Sequence, residues 1–107
     1  YFAIEGVSMC STNGTDCVDL TDNSVVERSE AFVTVTFQNS SSFDNFSWID
    51  TSEANTAVCS GTSCTLDVPT AGNQTIRLIA RDKSSKCYSA FTFSLKSAFS
   101  TTSHIFG

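Results

Sequence analysis

The chain has 107 residues, 40 % of them hydrophobic and only 16 % charged, enough to bury one core and too few for two. Six Lys and Arg against eleven Asp and Glu leave a net charge of −5, which argues against nucleic acid or an anionic membrane surface as a partner, since both need a basic face. No apolar run approaches the ~20 residues of a membrane span, so no membrane insertion is expected.

Read from its start at Tyr1, the chain shows no signal-peptide pattern, and the expectation is a processed chain or a fragment. Residues 1–9 (YFAIEGVSM) are apolar, with Phe2, Ile4 and Val7 as the bulky positions. A polar stretch bounded by Cys10 and Cys17 follows, then weak strand signals at Val18–Leu20 and Val25–Glu27. The first strong strand is Ala31–Phe37, where Ala31, Val33, Val35 and Phe37 fall on one face and Thr34 and Thr36 on the other. After the turn Asn39–Ser42, Phe46 and Trp48 alternate, and Trp48 is expected as the central aromatic of the core. A weak strand around Ala57–Cys59 leads through Ser60–Ser63 to Cys64 and a short strand Thr65–Val68, stopped by Pro69. Thr75–Arg81 buries Ile76, Leu78 and Ala80; Asp82–Lys86 turns the chain past Cys87 into Ser89–Lys96, where Phe91, Phe93 and Leu95 share a face. The tail Ser97–Gly107 carries Phe99, Ile105 and Phe106. No twelve-residue stretch has helical period, so the predicted fold is all-β: a single domain over 1–107, an antiparallel immunoglobulin-like β-sandwich with strand-forming terminal arms at 1–9 and 97–107.

Compartment is written in the hydroxyls, the cysteines and the sequons. Eighteen Ser and fourteen Thr make the surface polar without charge, and five cysteines in so short a chain point to an oxidising compartment. Cys10–Cys17 and Cys59–Cys64 each enclose a Gly-containing polar loop, so local bridges are the simplest pairing. Cys87 is then free or bonded to another chain, and a bond from Cys87 to Cys10 or Cys17 is the rival. Zinc is disfavoured by the absence of Cys-x2-Cys spacing and by a single histidine. Four Asn-x-Ser/Thr sequons, at Asn13, Asn39, Asn45 and Asn73, exceed the roughly two that such a composition gives by chance. They are expected to carry N-linked glycans, which implies a eukaryotic secretory pathway and an extracellular or cell-surface location.

Between about Val18 and Lys96 the chain resembles an immunoglobulin-like domain of the PKD type. The residues that carry the likeness are Val35-Thr36-Phe37, the Ser40-Ser41-Ser42 turn, Phe46-Ser47-Trp48, the Pro69 to Gly72 turn and Thr75–Ala80. The family's Trp-Asp-Phe-Gly-Asp-Gly stretch reads Trp48-Ile49-Asp50-Thr51-Ser52 here. The resemblance implies an extracellular structural or adhesive module.

Catalytic chemistry is thin. The one histidine, His104, lies three residues from the end, which leaves no base for a Ser–His–Asp or Cys–His site on the strand framework. Asp16, Asp19, Asp22, Asp44 and Asp50 are scattered as turn acids are, and none builds an EF-hand loop. The expectation is no enzyme, no cofactor and no metal site.

The two arms carry the functional expectation. Apolar termini need burial, and a strand donated to a neighbour's sheet satisfies that need. Such exchange runs head to tail and does not close, so it gives a fibre made of copies of this chain. Residues 1–9 are the first candidate donor, with Phe2, Ile4 and Val7 as plugs; residues 97–107, with Phe99, Ile105 and Phe106, are the second. The alternatives are arms that fold back onto their own sheets, and a module of a larger surface adhesion or receptor protein.

Overall fold

A computed structural model describes residues 4–52 and 54–98. Nine strands form: β1 (Val7–Ser11), β2 (Val18–Asp19), β3 (Ser24–Arg28), β4 (Phe32–Phe37), β5 (Phe43–Asp50), β6 (Thr56–Ser60), β7 (Ser63–Asp67), β8 (Asn73–Asp82) and β9 (Tyr88–Ser97). They make two sheets, one of order β2-β1-β4-β7 and one of order β3-β9-β8-β5-β6. The described chain is thus the all-β sandwich expected from alternation. A 3-10 turn at Ser40–Ser42 links β4 to β5, where the serine-rich turn was predicted.

Alternation explains the core. In β4 the residues Val33, Val35 and Phe37 point inward and are buried, and β9 does the same with Phe91, Phe93 and Leu95. Ile76, Leu78 and Ala80 of β8 lie in the same layer. Each of these side chains except Ala80 contributes roughly 1.5–3 kcal/mol by leaving water. Trp48 is fully buried, and its Nε1–H donates to the Gly61 carbonyl at 2.9 Å, so the one polar atom of the ring is satisfied.

Three placements differ from the sequence reading. Ala31 precedes β4 and is exposed, while Phe32 opens the strand on the outward face and is 51 % exposed. The β3–β9 pair is parallel, with Val26 opposite Leu95, so the sandwich is not wholly antiparallel. Two of the residues expected to plug a neighbour, Ile4 and Val7, are packed within this chain. Val7 pairs with Phe37 in β1–β4, and Ile4 and Val7 are both buried in this chain's own core. Val7–Met9 of the N-terminal arm therefore belong to an interior strand of the described sheet, between β2 and β4. Phe2, and the second candidate set Phe99, Ile105 and Phe106, lie outside the described residues, as does His104.

Candidate functional site

The two local disulfides form: Cys10–Cys17 joins β1 to the residue before β2, and Cys59–Cys64 joins β6 to β7. Their loops have the same origin, a short polar stretch with a glycine at positive φ (Gly14 at 87°, Gly61 at 102°), which only a residue without Cβ adopts at low cost. The consequences differ. Cys10–Cys17 ties neighbours within one sheet, whereas Cys59–Cys64 bridges an edge strand of one sheet to an edge strand of the other. Cys87 is an exposed free thiol in the β8–β9 turn, which removes the rival pairing to Cys10 or Cys17.

All four sequon asparagines are exposed, each in a different setting. Asn13 forms an Asx turn, its Oδ1 accepting from the Thr15 N–H at 3.2 Å and the Thr15 hydroxyl at 2.7 Å. Asn39 lies against Gly6, where an added Cβ would come within 2.6 Å of Asn39 Nδ2. Asn45 sits at a bulge of β5, with φ of 54°, which turns it away from the ladder between Asp44 and Ser47. Asn73 begins β8 and lines a cleft.

That cleft, about 340 Å³, is walled by Asp50, Ser52, Asp67, Pro69, Ala71, Asn73 and Gln74. Its carboxylate Asp50 is only 3 % exposed and fully engaged on both oxygens. Oδ1 accepts from the Ser52 N–H (2.9 Å) and hydroxyl (2.6 Å), and Oδ2 accepts from Gln74 Nε2 (2.8 Å). Thr51 adds two bonds across the same junction, its N–H and hydroxyl both donating to the Thr75 carbonyl. The result is a stiff rim joining the end of β5 to the start of β8.

A second polar centre was not foreseen. Arg28, at the end of β3, is 8 % exposed and makes a bidentate pair with Glu30. It also donates to the Asp16 carbonyl at 2.9 Å and to Ser11 Oγ at 3.3 Å, and Ser11 in turn donates to Glu30. Hydrogen bonds from Arg28 first, and then from Ser11, lower the Glu30 carboxyl to a pKa of about 2. The spacing of Arg28 and Glu30 shows in the sequence; the partners Ser11 and Asp16, on the other sheet's side, do not.

The five acids singled out in the sequence do not converge. Asp22 accepts from the Thr92 N–H, and Asp44 pairs with Arg81, whose hydrogen bond draws its carboxyl below the usual range. Asp50 is tied into the cleft wall, Asp16 offers its carbonyl to Arg28, and Asp19 is an exposed residue of β2. Among the described residues no three His, Cys, Asp or Glu gather in a way that could hold a metal. Nor, among them, is any helix long and apolar enough to cross a membrane.

No family model matches the chain. No curated protein matches it either. Among solved structures it is similar to the crystal structure of CopC from Methylosinus trichosporium OB3b, with 16 % identity, over 73 % of this chain and 87 % of that one, at a TM-score of 0.38. At that score the likeness carries no argument about fold or function.

Proposed function

We propose that the chain is a structural, non-enzymatic module of an extracellular or cell-surface glycoprotein, a sandwich of the immunoglobulin-like, PKD-like kind that spaces or presents its neighbours. The observation that supports this most is the position of β1. It is an interior strand, paired on one side with β2 and on the other with β4. A donor strand must be able to leave, yet Cys10–Cys17 closes the short stretch from β1 to β2. Donation of residues 1–9 to a neighbour is thereby disfavoured, and a sheet completed from within favours a self-sufficient module over a head-to-tail fibre. Two disulfides agree with an oxidising compartment, and four exposed sequons agree with glycan attachment at Asn13, Asn39, Asn45 and Asn73.

Light scattering on the chain secreted from a eukaryotic host tests the reading. Particles of one copy support the module. Long polymers would revive the fibre built of copies of this chain, and polymers that persist after deletion of residues 1–9 would move the donor role to residues 97–107. Intact mass before and after glycosidase treatment tests the glycoprotein half; an unchanged mass would remove it.

A further inference from the structure

We propose that the cleft beside Asn73 is the seat of the first sugar of an N-glycan attached to Asn73 itself. The inference rests on the glycoprotein reading and adds to it a fixed place for one glycan. Four observations combine. Asn73 is the sequon asparagine that lines a cleft; neither of the two cavities described above and below is walled by Asn13, Asn39 or Asn45. The cleft, about 340 Å³, falls at the low end of the range for small-ligand sites. Its walls combine the apolar Pro69 and Ala71 with the polar Ser52, Asp67 and Gln74, which suits N-acetylglucosamine: the ring face and acetyl methyl pack on the apolar pair, and hydroxyl and amide N–H groups donate to Asp67. The sequon strand is also held still. The Thr75 carbonyl accepts two bonds from Thr51, and the Thr75 and Ser94 hydroxyls lie 3.0 Å apart in a hydrogen bond.

Charge narrows the occupant. Asp50 and Asp67 repel an anion such as phosphate or sulfate, and Asp50 is already saturated by Ser52 and Gln74, so a cation finds one carboxylate, Asp67, in place of a ligand set. A neutral, hydroxyl-rich ring fits both restrictions. A second cavity, about 270 Å³ and walled by Asp16, Glu27, Arg28, Ser29 and Glu30, has its one cation, Arg28, paired with Glu30, while Glu27 pairs with Lys96 outside that wall.

The test uses the secreted chain with its glycans trimmed to single N-acetylglucosamine residues. Nuclear Overhauser contacts are expected from the Asn73-linked acetyl methyl to Pro69 and Ala71. Asn73→Gln should lower the Tm of the glycosylated chain by about 4 °C. Non-glycosylated wild type and non-glycosylated Asn73→Gln should melt together, which isolates the sugar from the side chain. An occupied Asn73 whose sugar shows no contact with Pro69 or Ala71 overturns the inference and leaves the glycoprotein reading standing. So does an Asn73 without glycan while other sequons are occupied. A chain with no glycan at any sequon overturns both.

Discussion

The two sides of the sandwich are closed by opposite chemistry. At one side the edge strands β6 and β7, from different sheets, are joined by Cys59–Cys64 and by a two-residue link whose Gly61 carbonyl accepts from Trp48. At the other side the edge strands are β2 and β3, and no covalent bond crosses between sheets there. Arg28 of β3 crosses instead, reaching Ser11 of β1 and the Asp16 carbonyl before β2 while Glu30 neutralises it. The covalent closure constrains the unfolded chain and is indifferent to pH. The ionic closure acts only in the folded chain, and its Arg28–Glu30 pair only while Glu30 is ionised. One sandwich therefore has its sheets joined across one side by a bond that reductant breaks and across the other by contacts that acid weakens.

The largest expected effect is on the ionic side. Arg28→Ala leaves the Glu30 carboxylate partly buried beside Ser11 without its partner and should cost about 3 kcal/mol in chemical denaturation. The double variant Arg28→Ala with Glu30→Ala should cost less than the single one. If it costs more, Arg28 acts through packing rather than through the pair.

Next comes the covalent side. Replacing both Cys59 and Cys64 by Ala should cost roughly 2–3 kcal/mol, the loop-closure value for so short a ring. The loss should be the same at pH 7 and pH 3, a comparison that separates the two closures directly.

Acid probes the first side without mutation. The Glu30 carboxyl falls from an ordinary 4.5 to about 2 on folding, so its contribution is complete above about 4.5 and is lost as pH falls towards and through about 2. Wild type should lose stability across that window, and Glu30→Gln, already without the charge, should lose less. Equal acid sensitivity of the two proteins would remove Glu30 from the account.

The smallest effect sharpens the covalent side. Trp48→Phe keeps an aromatic core and removes the bond to the Gly61 carbonyl, which should cost about 1 kcal/mol. Amide exchange should quicken at Phe37, whose N–H donates to Thr62 in the same link.

What could be read in advance was local. The alternation of Val33, Val35 and Phe37, or of Phe91, Phe93 and Leu95, fixes an inward face because the strand period is two, whatever the strand's neighbours are. The pairings Cys10–Cys17 and Cys59–Cys64 were legible for a similar reason, since thiols separated by a short glycine-bearing turn meet before any distant partner does. The exposure of Asn45 was half legible. Its phase relative to Trp48 indicated solvent, while the bulge that presents it comes from a change of register against β8.

The sequence by itself determined an all-β chain with a defined inner face, two local staples and four polar sequon positions, because each depends on residues close together along the chain. Tertiary structure alone decided the rest. It set β1 between β2 and β4, laid β3 parallel to β9, closed Arg28 on Ser11 and Asp16, and brought Asp50 and Gln74 together beside Asn73. These features join residues remote in sequence, and periodicity specifies which face is buried but not which strand lies beside which. Strand order follows from the apolar area each arrangement buries and the polar groups it satisfies, and both are properties of the assembled sandwich.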